Sequence, residues 1–291
     1  NLSEEHLDFH ENMNEYFDAK LILFEKLMKN DAIAIVNKDD HYGSKLISKL
    51  LEQKTEVNDY SCNDIFQKLI KEDGLSGVYK GLTIQSSLLG EFNFQNILAS
   101  VNLAFALNID KKIIAAAIKN LSFVPGRMEK VPNRFGINVY VDYAHKPDAL
   151  EKVLKQLSGL AKKNNVRLIS VFGCGGDRDR TKRPKMGRVA TCWSDVVWVT
   201  SDNPRSEDPQ RIVQEILEGC QGSTSCFVEM DRKQAICNAV NYAQKGDFVL
   251  IAGKGHETYQ LLPGGKNKNS IEKVEFDDRK VANDALLNRR T

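Results

Sequence analysis

Three loops in the second half of the chain carry residue types suited to holding a zwitterion with an extra carboxylate. In Asp202-Asn203-Pro204-Arg205, Pro204 pins the turn, Asn203 offers a donor and an acceptor, and Arg205 offers a planar fork matching a carboxylate. Taken alone, Asp-Asn-Pro is equally a common turn signal. Gly253-Lys254-Gly255-His256-Glu257 adds a flexible backbone and one carboxylate, Glu257, able to bind an ammonium. Gly173-Cys174-Gly175-Gly176-Asp177-Arg178 is a glycine-rich turn where a backbone or a ligand can approach closely. Arg178 there is either a partner for a ligand carboxylate or a solvated charge, and it stands where a dinucleotide fingerprint needs its last glycine. If the loops meet, two arginines, an amide and a carboxylate together suit a diamino diacid.

The first half is less explicit. His6-Leu7-Asp8-Phe9-His10 and Lys20 put an imidazole and an amine near a helix start, where surface residues are the commoner reading. Asn37-Lys38-Asp39-Asp40 ends a short apolar run and reads either as a turn or as a set of hydrogen-bonding groups for a sugar or base.

The elements that must position these groups follow from periodicity. Residues 11–29 are spaced as one helical face, and Ala32 to Asn37 reads as a buried strand. Helices are expected at 44–52, from about Ile97 to Leu107 after a turn-like Leu89 to Asn93, and at Lys111 to Asn120. The stretch 53–88 reads as mixed strand and loop. Pro125 and Gly126 directly after a helix mark a domain boundary, giving 1–124 and 125–291. Beyond it, apolar strands at 139–141, 168–172, 196–200, 226–228 and 248–252 alternate with helices at 147–161, 184–193, 209–218 and 232–244. That alternation predicts an α/β, doubly wound, mostly parallel sheet. Asp142 to Asp148, Gly173 to Arg183, Ser201 to Asp208 and Gly253 to Gln260 each follow a strand, so they should converge on one rim.

The 291 residues carry 41 basic and 39 acidic side chains, a net charge of +2, interspersed rather than blocked. No field therefore points to nucleic acid or to an anionic membrane, and no apolar run approaches the roughly 20 residues of a membrane span. Six cysteines without CxxC or metal-type spacing fit reduced thiols in a cytoplasmic protein.

The ordered segments Asn1-Leu2-Ser3 to His10, Tyr16 to Lys20, Asn37 to Asp40, Gly126-Arg127-Met128-Glu129, Asp142-Tyr143-Ala144-His145, Phe172 to Asp179, Asp202 to Arg205 and Ala252 to Glu257 resemble the Mur ligase family. Within it they resemble the ligases that add meso-2,6-diaminopimelate to a peptidoglycan precursor. The resemblance implies the rest of a P-loop-type ATP-binding central domain followed by a Rossmann-like amino-acid-binding domain. It implies ATP and Mg2+ as cofactors, a UDP-muramoyl dipeptide and diaminopimelate as substrates, an acyl-phosphate intermediate, and a cytoplasmic monomer.

Residue by residue, His6 matches the family's magnesium ligand and Lys20 the lysine whose carbamate holds the metal, for which partial burial would help by favouring a neutral amine. Asn93 matches an adenine contact, although Phe92 stands where many relatives carry His. Arg127, Asp142 and His145 match nucleotide contacts, although Lys146-Pro147 replaces the usual Thr-Pro. Arg178, Asp202, Asn203, Pro204, Arg205, Gly253 and Glu257 match the diaminopimelate pocket, and Arg205 separates these enzymes from relatives that add L-lysine. The family's UDP-sugar domain and its GTxGKT-type phosphate loop have no counterpart in this sequence, so the chain is expected to be a C-terminal portion, inactive alone. Three other readings remain at this point: a folylpolyglutamate synthase, a non-catalytic binding module, and a Rossmann oxidoreductase. The second suits the missing phosphate loop, and the third lacks the glycine fingerprint.

Overall fold

A computed structural model of the chain describes residues 1–2, 9–29, 31–71, 73–222, 224–264 and 270–289. The chain divides into two compact units, Asn1–Phe123 and Val124–Thr291.

In the first unit, α1 (Met13–Ile22) runs into a π-helical turn at Leu23–Leu27, followed by β1 (Ala34–Asn37), α2 (His41–Glu52) and β2 (Val57–Tyr60). Then come β3 (Phe66–Lys71), β4 (Gly74–Tyr79), β5 (Leu82–Ser86), α3 (Glu91–Ala106) and α4 (Lys111–Asn120). β1 and β2 pair in parallel, while β3, β4 and β5 form an antiparallel sheet. Lys80 and Gly81, both at positive φ, make the two-residue β4–β5 turn, a type of hairpin loop whose twist suits the flanking strands. Residues 53–88 are thus more ordered than their weak pattern suggests. α3 begins at Glu91, ahead of the expected Ile97, because Gly90 caps it at φ 105° and Phe94, Ile97, Leu98 and Val101 continue one buried face. Asn93 therefore lies in a helical first turn, not in a loop.

The second unit contains β6 (Glu129–Val131), β7 (Asn138–Asp142), α5 (Pro147–Asn164), β8 (Leu168–Phe172), α6 (Lys182–Trp193), β9 (Val196–Val199) and α7 (Pro209–Leu217). β10 (Ser225–Val228), α8 (Arg232–Tyr242), β11 (Phe248–Ala252), β12 (Tyr259–Pro263), β13 (Ile271–Glu275) and α9 (Asp278–Leu287) complete it. The main sheet runs β10-β9-β8-β11-β7-β6, parallel except for the antiparallel β6. β8 and β11 are buried at every residue, as central strands covered on both faces must be. α5, α6 and α7 pack side by side, and α8 packs beside α9. Val139, Val141, Ile169, Val171, Val249 and Ile251 share one core with α8 and α9. Each such side chain, fully buried, contributes about 1.5–3 kcal/mol.

Several helix starts are written in single residues. Asn12, Asp40, Asp110, Asp208, Asp231 and Asp277 each cap a helix through a side-chain oxygen that accepts backbone N–H groups. The β12–β13 hairpin, β6 and α9 add to the expected elements. Among the described residues no helix is long and apolar enough to cross a membrane.

Candidate functional site

Because β7, β8, β9 and β11 are parallel, the loops that follow them leave the sheet on one rim, as the alternation predicts, and there they interlock. Gly176 N–H donates to Asn203 O (2.9 Å), Arg205 Nη1 donates to Gly176 O (2.6 Å), and Gly253 N–H donates to Asp142 O (3.1 Å). Gly176 is needed for this approach, since a Cβ there would sit 2.0 Å from Pro204 O. Asp177 fixes the same two loops by accepting from Ser206 N–H (3.1 Å) and Ser206 Oγ (2.8 Å). The Ser206 hydroxyl, chiefly, holds the Asp177 carboxyl below its usual range.

At the centre lie Asp202 and Asn203, 7% and 6% exposed, and Lys254, 0% exposed. Lys254 Nζ donates to Asn203 Oδ1 (2.9 Å), Asp202 Oδ1 (3.3 Å) and Glu257 Oε2 (3.3 Å). Glu257 Oε2 also accepts from Asn203 Nδ2 (3.1 Å). Gly253, Lys254 and Gly255 are therefore buried and the loop is cross-linked, not flexible as its glycines suggested. Lys254 was not among the residues its sequence pattern singles out, because the acceptors that bury it come from two separate loops.

Two buried arginines support the rim from beneath. Arg183 donates to Glu207 (2.9 and 2.8 Å), Glu215 (2.7 Å) and Gly175 O (3.2 Å), and Glu207 Oε1 accepts from Asp177 N–H (2.5 Å). Arg183, chiefly, lowers the Glu207 carboxyl, while Glu215 is brought to about 2 by Arg180 first and Arg183 next. Arg232 forms a bidentate pair with Asp278 (2.8 and 2.7 Å) and donates to Ala252 O (2.9 Å), the last residue of β11. The unread hairpin also takes part: Gln260 Nε2 donates to Asp202 O (2.8 Å), and Leu261 exchanges its N–H with Asn203 Oδ1 (3.0 Å) and its O with Arg205 N–H (3.0 Å).

Arg178 and Arg205 are less fixed than the centre. Arg178 is exposed and donates to Asp177 O (3.0 Å). Arg205 is half-buried, in the left-handed region at φ 53°, which points its fork toward the Gly175–Gly176 turn.

Beside this centre, Arg127 lies over the Tyr143 ring (4.7 Å), and His145 packs edge-on to it (4.7 Å) with Nδ1 2.9 Å from Tyr143 O. Gly126 allows the loop carrying Arg127 to touch the Gly255–His256 backbone, since a Cβ would stand 2.1 Å from His256 N. Asp142 is buried, and its two oxygens accept from Met128 and Ala144 N–H (2.8 Å each). Burial raises its carboxyl despite these bonds. Burial, then the Glu257 carboxylate, raises the Tyr143 phenol.

In the first unit, Asn93 is buried, donating to Leu89 O (2.6 Å) and accepting from Asn96 (2.9 Å). Lys20 is exposed with Nζ 5.3 Å over the Tyr16 ring, so the partial burial expected to assist carbamylation is not found. His6 lies outside the described residues. Among the described residues no group of three or more His, Cys, Asp or Glu is placed to hold a metal. Asp39 accepts from Cys62 N–H (2.7 Å) and Asp40 caps α2, so that segment organises a turn.

Residues 1–104 match the family described as Mur ligase middle domain, and residues 126–255 match Mur ligase, glutamate ligase domain. The chain is 45% identical over 303 residues to the UDP-N-acetylmuramoyl-L-alanyl-D-glutamate–2,6-diaminopimelate ligase of Trichormus variabilis, covering 99% of this chain and 58% of that protein. It belongs to the Mur ligase family. The ligase of the same name from Fusobacterium nucleatum is 40% identical, with 100% of this chain and 59% of that one covered. This Mur ligase chain thus spans just under three-fifths of the length of these relatives. A solved structure of a ligase of that name, 33% identical, superposes with a TM-score of 0.57 over 98% of this chain and 58% of the other. The folylpolyglutamate synthase of Mycobacterium tuberculosis, solved with ADP and AMPPCP, shares the fold at a TM-score of 0.68 and 17% identity, over 87% of this chain and 59% of that one.

Proposed function

We propose that this chain supplies the amino-acid site and part of the nucleotide site of an ATP-dependent ligase. The ligase joins meso-2,6-diaminopimelate to the D-glutamyl carboxylate of UDP-N-acetylmuramoyl-L-alanyl-D-glutamate, a step of peptidoglycan synthesis. The observation that carries the reading is the joining of the Gly175–Arg178, Asp202–Arg205 and Gly253–Glu257 loops into one centre. The names of the 40–45% identical relatives supply the substrate. Residues 1–124 then form the end of the central ATP-binding domain and 125–291 the amino-acid domain.

In this reading Arg205 and Arg178 take the ligand's distal carboxylate, and Glu257 takes its distal ammonium beside Gly253, whose missing side chain leaves room. Asp202 and Asn203 hold that geometry and Pro204 stiffens it. Holding the distal end presents the other amine to the acyl group, so the attack becomes effectively intramolecular. The carboxylate is a poor acyl electrophile until an oxygen accepts the γ-phosphoryl group of ATP, releasing ADP. The amine then adds, loses a proton, and expels inorganic phosphate from the tetrahedral intermediate.

Arg127 and His145 bring positive charge and a ring face to the nucleotide, with Asp142 holding their loop through Met128 and Ala144, and Asn93 is the adenine contact. The Lys20 ammonium cannot ligate a cation. As a carbamate it presents oxygens that, with the His6 imidazole, suit Mg2+, which supplies neutralisation of phosphate charge. The same reading makes the protein a cytoplasmic monomer acting on small molecules, in keeping with its +2 charge and its six free thiols.

Calorimetry of the chain with meso-diaminopimelate tests the site. Binding is expected to exceed that of L-lysine and to fall at least tenfold in Arg205→Ala, about 1.4 kcal/mol or more. Equal affinity for the two amino acids, or an Arg205→Ala variant that binds as tightly as the parent, sinks the assignment.

A further inference from the structure

Among the described residues Lys254 is the one lysine that is fully buried, and it lies within the proposed amino-acid site. Its ammonium has three hydrogens and three acceptors: Asn203 Oδ1 at 2.9 Å, Asp202 Oδ1 at 3.3 Å and Glu257 Oε2 at 3.3 Å. It thereby joins the loop after β9 to the loop after β11. We infer that Lys254 is a positioning residue that sets the net charge and the amide orientation of this centre, making it a receptor for a single ligand ammonium; the inference rests on the site reading above.

Two features carry it. First, Asp202 and Glu257 bring two negative charges and Lys254 returns one positive charge, leaving a net charge of −1. The neighbouring Arg232 is matched one-to-one by Asp278 and leaves that count unchanged. A centre at −1 balances one ammonium. Second, the Asn203 amide has one possible orientation. Leu261 N–H can only donate and Lys254 Nζ can only donate, so both must face Oδ1. Nδ2 is then turned to Glu257 Oε2 (3.1 Å), and that carboxylate is held by two donors on one oxygen. Glu257 also takes a hydrogen bond from the Tyr143 hydroxyl, so its carboxylate is oriented before a ligand ammonium meets it. Without Lys254, Glu257 loses one of those donors, and Asp202 is buried with no cation on Oδ1.

The test separates a positioning role from a general structural one by using two ligands that differ in a single amine. meso-Diaminopimelate and 2-aminopimelate share both carboxylates and one amino group, and only the former has the second ammonium. The parent chain is expected to prefer diaminopimelate at least tenfold by calorimetry, and Lys254→Met to bring that preference close to one while 2-aminopimelate affinity changes little. Lys254→Gln, which fills the slot and keeps two N–H donors without the charge, should keep a preference well above one, because the donors that turn Asn203 and hold Glu257 survive; Lys254→Leu serves if the Met variant does not fold. Equal losses for both ligands, a Met or Leu variant that keeps the tenfold preference, or a Gln variant with none overturns the inference and leaves the site reading intact. A parent chain that binds neither ligand overturns both.

Discussion

The Arg232–Asp278 pair offers the sharpest energetic test of how the site is supported. Both side chains are 0% exposed, joined by two bonds of 2.8 and 2.7 Å, and Arg232 Nη2 also holds Ala252 O at 2.9 Å, next to Gly253. Arg232→Met keeps apolar volume but leaves the Asp278 carboxylate buried without its cation, a loss of about 3–5 kcal/mol in comparable pairs. Asp278 is the first residue of α9, where the helix dipole favours an anion by about 1 kcal/mol, so the net loss should be about 3 kcal/mol. For a unit the size of Val124–Thr291, that lowers its melting temperature by roughly 6–12 °C. Scanning calorimetry reads the transition of this unit, with near-ultraviolet dichroism as a second probe. Removing both charges in Arg232→Met with Asp278→Leu should restore much of the loss, since an apolar pair leaves no uncompensated ion. A single variant that melts within about 2 °C of the parent would refute the reasoning. So would a double variant that melts as low as the single one.

Acid stability should report the Arg183 cluster. Glu207 and Glu215 have carboxyls held below their ordinary 4.5, Glu215 at about 2, so their contribution is complete above pH 4.5 and is lost as pH falls toward 2. Urea midpoints measured across that window should show the fall, and Arg183→Met should flatten it; an unchanged slope contradicts the assignment. Gly176→Ala places a methyl 2.0 Å from Pro204 O and should displace the Asp202–Arg205 loop at a cost of about 1–3 kcal/mol, weakening diaminopimelate binding in calorimetry. Unaltered binding and melting would show that the two loops need not touch.

Local pattern alone was enough to read the parallel sheet and the rim its loops share. Strands such as Leu168–Phe172 and Phe248–Ala252 are apolar at every position, a local pattern that survives any rearrangement of neighbours. Once the strands are parallel, the loops after them share an edge, so Asp202, Arg178 and Glu257 could be grouped without coordinates. The bounds of α4 were equally legible, because Asp110 caps it and Asn120 ends its Ala-rich run.

Partners supplied by distant segments are a different matter. The lysine between Gly253 and Gly255 is buried because carboxylates from two loops surround it, and no local pattern encodes that. The β12–β13 hairpin lacks a clear alternation, yet it places Leu261 N–H on Asn203 and so settles which way that amide faces. Likewise, the exposure of Lys20 is a matter of packing rather than of spacing. Periodicity records which face of an element is apolar. The identity of the group that meets a buried charge often depends on residues distant in sequence, 52 positions away for Asp202 and Lys254, and is fixed only when the chain closes on itself.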